Sequence, residues 1–596
     1  MGGGTTTGVL GLVAGAGGVK TGKDGGHDDE NMLETPSELT GAETLAAGAL
    51  AAGVQYVTGY PGAPATSVVE VLLEQAPDLT VEWAVNEKVA LECALGASVG
   101  GWRSLVAVKS VGLNVAVDPL LTLNFTGINA GLVILLGDDP GAHVSQNEQD
   151  TRGLAYFAEL PLLEPVTLDL GAEVMRTAFD LSESTSLPFI LRVPWPFVQT
   201  TAEVKVPPPA SAPLRPLSLA PFQWISTGYN AVANHVRLHA RLADLEERFT
   251  ASPWNQRWGQ GLCGVVAVGF AAEKLRPASE EVPPLSVLAL TTVHPLPRGL
   301  VLDFLSTVER VLVLEENDPW VERQIKALAQ EAKLTLPIWG RESGHLPVGD
   351  ELREENIRQA LAWLLKGKTH PPPSPLRPPP DLYTFCQECP YIPTLEALRE
   401  AIAAVGREVV VTGDPGCLIW AAAPPYELLH LKYCLGASIN LAAGLARARP
   451  NCRAVALMGD SSFYHTGLPG LVNAANLQHC ALLLILDNGA TATTGFQPTP
   501  NVGRNARGRP SPSVKMEDLV AACGLTPVIV DPLDREHTRT VLQAALERDD
   551  LSVVIVRRPC PLLEAAARGE VRRPQYRPLQ SPVGTVSQPA LNPAAR

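Results

Sequence analysis

Two polar residues, Asp460 and Asn488, each follow an apolar run whose length and branching are typical of a buried strand. The runs are 454–458 and 481–486, and the residues between them predict a helix. In such a strand–helix–strand unit the strands are parallel, and their carboxyl ends meet at one edge of the sheet. We therefore expect the Asp460 carboxylate and the Asn488 amide to face one crevice.

A carboxylate and an amide oxygen at such an edge suit Mg²⁺, which prefers oxygen ligands and commonly binds phosphate oxygens as well. The backbone carbonyl at Ala490 would be a third ligand. We assign Gly459 and Ser461 to the same site, because glycine lets the backbone approach and a helix N-terminus favours phosphate. A Gly-Asp pair before a helix is by itself more often a turn and a cap. The Asn that follows at strand spacing favours the metal and diphosphate interpretation.

Four of the ten cysteines lie at positions where thiol ligands could converge. Cys386 and Cys389 form a C-x-x-C pair, Cys417 ends GDPGC after a predicted strand, and Cys560 lies in RRPCP after the last strand. Four thiolates at one sheet edge could ligate a [4Fe–4S] cluster or a tetrahedral zinc ion. The competing interpretation is that Cys417 and Cys560 are buried small apolar residues, as most free cysteines are.

Composition limits the class of protein. A chain of 596 residues with 46% apolar content predicts several domains. The net charge of −15, without a cluster of Lys and Arg, argues against nucleic acid or an anionic membrane as a partner. No apolar run approaches the ~18 residues of a membrane span. The N-terminus lacks the basic flank of a signal peptide, and the cysteines are too few for a disulfide scaffold. We expect a cytoplasmic enzyme.

Helical and strand patterns alternate from about residue 39, which predicts an α/β fold with parallel sheets. Two proline-rich stretches divide the chain, so we predict three consecutive α/β domains. The predicted divisions are a disordered extension (1–36), a first domain (37–206), a linker (207–220), a second domain (221–369), a linker (370–380), a third domain (381–568) and a disordered tail (569–596).

The words GDSSFYHTGLPGLVNA and LDNGATATTGFQP, which contain Asp460 and Asn488, resemble the thiamine-diphosphate motif of the indolepyruvate:ferredoxin oxidoreductase large-subunit family, within the 2-oxoacid:ferredoxin oxidoreductases. The resemblance extends from about residue 39 to residue 562. It implies a pyrimidine-binding domain, a transketolase C-terminal-like domain and a diphosphate-binding domain, in that order. It also implies thiamine diphosphate, Mg²⁺ and a [4Fe–4S] cluster on the four cysteines, with coenzyme A as co-substrate.

VNEKVALECALGAS resembles the family helix that carries an essential glutamate, which falls on Glu87. A carboxyl group there shares a proton with the pyrimidine ring of the cofactor, and an apolar pocket would raise its pKa. Without the resemblance, a Glu in the first turn of a helix is usually a surface residue that complements the helix dipole. We also assign Gly62, in the turn YPGAP, to the cofactor site.

Three positions depart from the family pattern. YPGAPAT has Ala63 where relatives have Thr, KSVGLN has Ser110 where they have His, and CQECPYI has Tyr391 where they have His. Each change removes a polar group that could contact the substrate. The residues left for substrate contact are Asn114, Arg152 and His465.

The reaction implied by the resemblance is oxidative decarboxylation of an arylpyruvate-like 2-oxoacid to an acyl-CoA, with electrons passed through the cluster to ferredoxin. The family's large subunit usually ends in a ferredoxin-like domain, and this sequence has no such cysteine run. We therefore expect a separate ferredoxin, together with a small (β/γ-type) oxidoreductase subunit. Thiamine sites of this kind commonly form between domains of different protomers, so we expect a homodimer or a heterotetramer. The alternatives are a non-oxidative thiamine-dependent decarboxylase or carboligase, and a degenerate scaffold without catalysis.

Overall fold

Three largely parallel β-sheets, flanked by helices, make up the protein, so the predicted α/β class is confirmed. The computed structural model describes residues 36–217, 223–367, 383–575 and 577–578. Within these ranges there is no helix with the length and apolar character needed to span a bilayer.

The first sheet has seven strands, six of them parallel to one another. Its strand Leu132–Asp138 is buried along its whole length, which explains why it appears in the sequence as a continuous apolar run. In sheet order the strands are Thr292–His294, Leu162–Leu163, Phe189–Pro194, Leu132–Asp138, Ser104–Lys109, Tyr56–Gly59 and Thr80–Trp83. The helices of this part of the chain are Gly41–Ala51, Ala65–Gln75, Glu87–Val99, Ser110–Leu113, Val117–Thr126, Arg152–Phe157, Leu168–Thr185 and Trp195–Gln199.

The second sheet has five strands, and its antiparallel edge strand is Gln256–Trp258. In sheet order the strands are Ile338–Trp339, Arg310–Leu314, Cys263–Val268, Ser286–Leu290 and Gln256–Trp258. The helices here are Ala231–Thr250, Ala271–Glu280, Arg298–Leu305, Trp320–Glu331 and Glu354–Lys366.

The first two sheets share part of their hydrophobic core. Helix Ala231–Thr250 places Leu238, Leu245 and Phe249 in the same cluster as side chains of the first sheet. The edge strand Thr292–His294 comes from the second part of the chain but pairs antiparallel with the first sheet. These two units therefore pack as neighbours rather than as separate bodies on a linker.

The third sheet has six strands, all parallel. In sheet order they are Leu431–Lys432, Val409–Gly413, Arg453–Gly459, Ala481–Asp487, Ser552–Arg557 and Val528–Val530. The helices are Tyr391–Ala404, Ala437–Ala448, Asp460–Ser462, Phe463–Gly467, Leu468–Asn476, Met516–Ala522, Arg535–Glu547 and Leu563–Ala567, with short 3₁₀ segments at Cys417–Ala422, Ala492–Thr494 and Pro500–Val502. The segment Phe463–Gly467 is a π-helical turn, a form that often occurs at functional sites.

Short antiparallel pairs fasten the chain ends and one loop. Arg577–Pro578 pairs with Tyr383–Thr384, and the Arg573 guanidinium stacks on the Trp195 ring at 4.7 Å. Within the tail predicted to be disordered, Arg573 and the strand Arg577–Pro578 therefore have contacts with segments distant in sequence. The other pairs are Ser37–Thr40 with Thr201–Val204 and Ala490–Thr491 with Gln497–Pro498.

The first predicted linker runs along the surface of the first unit between residues 207 and 217. Its backbone donates from Ala210 to the carbonyl of Leu50 and from Arg215 to that of Gly101, both at 3.1 Å. Residues 1–35, the second predicted linker (370–380) and residues 579–596 lie outside the described residues.

Candidate active site

Asp460 and Asn488 lie at adjacent strand ends, as the strand pattern predicts. The strands Arg453–Gly459 and Ala481–Asp487 are paired in parallel, and each of the two residues follows its strand directly. The Asp460 carboxylate accepts from the Gly489 backbone N–H at 2.9 Å, so the two turns are joined. Gly489 has a φ of +74°, a left-handed conformation that glycine adopts without strain.

The Asp460 carboxylate is buried without a cationic partner among the described residues. Its acceptor contacts are to the backbone N–H of Gly489, to that of Ser461 at 2.8 Å and to the Thr499 hydroxyl at 3.2 Å. Burial raises the pKa of Asp460 to about 7, and the charge of Asp487 adds to the shift. A buried carboxylate of this kind fits a bound divalent cation, which would replace the missing positive charge.

The side chain of Asn488 connects this turn to the cysteine-bearing segment. Its Oδ1 accepts from the Ala490 backbone N–H at 3.1 Å, and its Nδ2 donates to the Tyr391 hydroxyl at 3.0 Å. Tyr391 is one of the three departures from the family pattern, and it is buried. The Tyr391 hydroxyl therefore touches the candidate metal ligand directly.

Glu87 and His465 meet although their helices pack on different sheets, the first and the third. Glu87 opens helix Glu87–Val99, whose cap Asn86 accepts from the Val89 backbone N–H at 2.9 Å. His465 lies in the π-helical turn that follows Asp460. The Nε2 of His465 is 2.8 Å from the Glu87 carboxylate, and the Asn86 amide donates to the His465 carbonyl at 2.8 Å. Both side chains are almost completely buried.

The surroundings of Glu87 leave little room for movement. A Cβ added at Gly112 would come within 2.3 Å of a Glu87 carboxylate oxygen, so glycine is required for this approach. The Tyr60 ring meets the His465 ring edge-on, with centroids 4.6 Å apart. Burial raises the pKa of Tyr60, and the charges of Glu87 and Asp460 add to the shift. Tyr60 therefore lies between the acidic helix residue and the candidate metal site.

A cavity of about 670 Å³ opens beside Tyr60 and Ser461, between the first and third sheets. Thr499, which bonds to Asp460, and Tyr464 also line it. The volume is in the range of small-molecule and cofactor sites.

The four candidate thiol ligands are brought into one neighbourhood. Burial raises the pKa of Cys389, and the charges of Cys417, Cys386 and Cys560 add to the shift. The backbone N–H of Cys560 donates to the Asn488 carbonyl at 3.0 Å. This bond connects the four cysteines to the turn that carries the candidate metal ligand Asn488.

The spacing of these thiols can be compared with the two metal centres that cysteines form. A tetrahedral zinc ion with Zn–S bonds of about 2.3 Å requires sulfur atoms about 3.8 Å apart. Among the described residues, no three of these Sγ atoms lie within 4.8 Å of one another. The four thiols therefore do not stand at the spacing that a tetrahedral zinc site requires.

Sequence reasoning missed three cations, Lys109, Lys432 and Arg573, that lie near one another beside the turn containing Gly62. Lys109 ends the strand Ser104–Lys109, and its side chain covers Gly62, where an added Cβ would lie 2.8 Å from it. The Nζ of Lys109 is 3.4 Å from the Val144 carbonyl. Burial lowers the pKa of Lys109, and the nearby charges of Arg573 and Lys432 lower it further, while those of Asp139 and Glu87 oppose this.

These three cations, Lys109, Lys432 and Arg573, have no carboxylate within ion-pair distance in the described part of the chain. Lys432 contacts the Gln146 side chain at 3.1 Å. A lysine at the carboxyl end of a buried strand was visible in the sequence and could have been noted. Arg573 gave no such signal, because it lies in a segment whose composition resembles a disordered tail.

Arg152 is not available to a substrate, and the prediction that it contacts one is wrong. Its side chain is 0% exposed and donates to Glu164 at 2.6 and 2.9 Å, to Asp150 at 3.1 Å and to the Glu316 carbonyl at 2.7 Å. Glu316 belongs to the second unit, so these bonds fasten it to the first. Asn114 is exposed and exchanges two hydrogen bonds with Gln149, at 2.8 and 3.0 Å.

Comparison with known proteins decides the family. Residues 414–556 match the thiamine pyrophosphate enzyme, C-terminal TPP binding domain. The chain is 36% identical over 547 residues to the indolepyruvate oxidoreductase subunit IorA of Methanothermobacter thermautotrophicus, covering 89% of this chain and 88% of that protein. The chain belongs to the IorA family. The IorA of Archaeoglobus fulgidus is 32% identical over 559 residues, covering 89% and 87% of the two chains.

The family resemblance expected from the motifs is thus confirmed, and the chain is a subunit of an IorA-type oxidoreductase. A partial likeness exists to a solved 2-oxoglutarate:ferredoxin oxidoreductase from Magnetococcus marinus, with 2-oxoglutarate, coenzyme A and succinyl-CoA bound. The TM-score is 0.44 at 16% identity, over 56% of this chain and 66% of that one. A superposition this partial supports no argument about function.

Proposed function

We propose that this IorA-family chain binds Mg²⁺ and thiamine diphosphate and, with a small partner subunit, oxidises a 2-oxoacid to an acyl-CoA. The observation that carries the proposal is that a buried acidic residue beside the first sheet contacts the segment that follows the candidate metal ligand at the third sheet. A buried carboxylate and amide pair, Asp460 and Asn488, lies at the end of one sheet. A buried glutamate from another sheet, Glu87, is bonded to His465, five residues after Asp460.

The metal ligands in this proposal are the Asp460 carboxylate, the Asn488 side-chain oxygen and the Ala490 carbonyl. Gly459, Ser461 and Gly62 would border the diphosphate and the ring of the cofactor. Thiamine diphosphate, when bound, supplies the electron sink that decarboxylation of a 2-oxoacid requires. The chain itself supplies orientation, charge and the exclusion of water.

Glu87 would share a proton with the ring of the bound cofactor. Its carboxyl group is buried and is positioned by the His465 Nε2, 2.8 Å away, and by the close approach of Gly112. A carboxyl group in such a site exchanges a proton over a fixed short distance. His465 thus acts as a positioning residue for Glu87, in addition to its predicted contact with the substrate.

The cations Lys109, Lys432 and Arg573 would receive the carboxylate of the 2-oxoacid. The three positive charges repel one another, and among the described residues none has a carboxylate within ion-pair distance. A bound anion would reduce the repulsion and would supply the missing negative charge. This would compensate for the polar groups lost at Ala63 and Ser110. Asn114, at the surface, would then border the entrance.

The thiolates of Cys386, Cys389, Cys417 and Cys560 would hold a [4Fe–4S] cluster that passes electrons to ferredoxin. Such a cluster requires reduced thiols, so we propose a cytoplasmic setting. The Cys560 N–H to Asn488 bond keeps the thiols next to the candidate metal turn, which favours transfer over a short distance.

The test is anaerobic co-purification with the partner subunit, followed by iron, sulfide and thiamine analysis and by viologen-dye reduction with a panel of 2-oxoacids. We expect about four irons per chain and dye reduction that requires coenzyme A. Colourless protein that releases an aldehyde without coenzyme A or an acceptor would favour a non-oxidative decarboxylase instead. Absence of thiamine diphosphate binding in calorimetry with Mg²⁺ present would indicate a scaffold.

The variant Asp460→Ala tests the metal ligand. Its matched control is Asp531→Ala, since Asp531 is an exposed aspartate that pairs with Arg558 at 2.9 Å. The first should lose Mg²⁺-dependent binding of thiamine diphosphate, and the second should retain it.

A further inference from the structure

Two histidines one helical turn apart face a single carboxylate from another part of the fold. His235 and His239 lie on helix Ala231–Thr250, and Glu159 follows the helix Arg152–Phe157. The Nε2 of His235 is 3.0 Å from one Glu159 carboxylate oxygen, and the Nε2 of His239 is 2.7 Å from the other. The three side chains lie at the surface, apart from the residues of the active-site proposal.

We propose that Glu159, His235 and His239 bind a divalent transition-metal ion of the zinc type. Their ligand atoms all lie within 4.8 Å of one another. In the described part of the chain, no other group of three His, Cys, Asp or Glu side chains has its ligand atoms this close together. In a tetrahedral site with bonds of about 2.0–2.2 Å, ligand atoms stand about 3.3 Å apart. The two distances from the histidines to Glu159 need to open by only a few tenths of an ångström to admit the ion.

The ligand types select the class of metal. Two neutral imidazoles and one carboxylate suit zinc and its neighbours in the first transition row, whereas Mg²⁺ and Ca²⁺ prefer oxygen ligands alone. Two histidines at i and i+4 project from the same helical face, which is a recurrent arrangement for binding such ions. The fourth position of the tetrahedron would be occupied by water, since the group is open to solvent.

Neighbouring groups hold the three ligands in place. The Phe125 ring packs edge-on against His235 with centroids 5.4 Å apart, and the two histidine rings are 4.5 Å apart at 71°. Glu159 has a φ of +53°, a conformation that a non-glycine residue adopts uncommonly. Such backbone strain persists only where the surroundings impose it.

The site joins two units of the fold. Glu159 belongs to the first unit, whereas helix Ala231–Thr250 begins the second, so a bound ion would fasten the helix onto the first unit. Binding to the folded state alone would then raise thermal stability by an amount that grows with the logarithm of the free ion concentration above the Kd.

The experiment titrates Zn²⁺ into the full-length chain in complex with its partner subunit, with the cysteines occupied by reconstituted cluster. Calorimetry compares the wild type with His239→Ala, with Glu159→Gln, which retains the shape of the side chain, and with His537→Ala, an exposed helical histidine elsewhere. We expect His239→Ala and Glu159→Gln to lose one equivalent of zinc or to weaken it by at least about tenfold. His537→Ala should bind as the wild type does.

Two further measurements decide between a site and an ion pair. Crystals grown with equimolar zinc should show an anomalous peak between the three ligand atoms, and zinc should raise the melting temperature of the wild type and of His537→Ala only. Equal zinc stoichiometry in all four proteins would overturn the proposal, as would anomalous signal confined to the cysteines. Binding seen only at millimolar zinc would overturn it as well, leaving two histidines that merely pair with a carboxylate.

Discussion

Replacing Arg152 with Met should destabilise the unit formed by the first two sheets. The guanidinium is fully buried and makes two short bonds to Glu164, one to Asp150 and one to the Glu316 carbonyl. Removing Arg152 leaves the Arg192 guanidinium, 2.9 Å from Glu164, as the remaining cation beside these carboxylates, and breaking a buried pair in this way costs about 3–5 kcal/mol. At about 2–4 °C per kcal/mol for a unit of this size, the unfolding midpoint should fall by about 6–20 °C.

The assay is calorimetric or circular-dichroism melting at pH 7, with KM for the 2-oxoacid measured well below the transition. Arg152→Lys keeps the charge, so its unfolding midpoint should lie between those of the wild type and the Met variant. It can still be measured if the Met variant does not fold. Arg176→Met removes a surface pair with Glu173, at 2.9 Å, and should cost less than about 1 kcal/mol. An unchanged midpoint together with a KM raised about tenfold would refute the reasoning and return Arg152 to the substrate site.

Three further predictions concern the cleft and the interface. Glu87→Gln keeps the volume but not the proton, so kcat should fall by about 10²–10⁴-fold, while calorimetry shows thiamine diphosphate still bound; activity near the wild-type level would contradict the assignment. Lys109→Met should raise KM for the 2-oxoacid without altering cofactor affinity, and an unchanged KM would exclude it from carboxylate binding. Burial lowers the pKa of His294 to about 4, so the unfolded chain takes up the proton first as pH falls below about 6.5. The free energy of unfolding therefore falls from pH 6.5 down to 4, by about 2 kcal/mol between pH 7 and 5. In urea titrations the His294→Phe variant should lack this part of the pH dependence. The same pH dependence in the variant and the wild type would contradict the prediction.

The strands around the active site were predictable from the sequence to within about two residues. The run 132–136 became Leu132–Asp138, and 481–486 became Ala481–Asp487. Strands buried on both faces carry continuous apolar runs, so their positions are encoded locally. The convergence of Asp460 and Asn488 followed from the same pattern, because neighbouring parallel strands end at a common edge.

Contacts between segments distant in sequence could not be predicted in this way. The contact between Glu87 and His465 joins residues 378 positions apart, and no pattern in the sequence indicated it. Arg152 looked like a substrate ligand from its polar loop, yet it is enclosed by Glu164 and Asp150. Arg573 looked disordered from its composition, yet it stacks on Trp195. The partners of Glu87 and Arg573 lie hundreds of positions away, and the Glu316 carbonyl that completes the enclosure of Arg152 comes from another unit.

The sequence by itself determined the α/β class, the order of the strands along the chain and the residue types able to hold a metal, a diphosphate and a cluster. These properties depend on hydrophobic periodicity and on the polar residues that follow each strand, which neighbouring residues specify. Only the tertiary structure decided which charged groups face a substrate and which are consumed in holding the units together. Burial and charge pairing depend on the packing of segments hundreds of residues apart, and no local pattern records that packing.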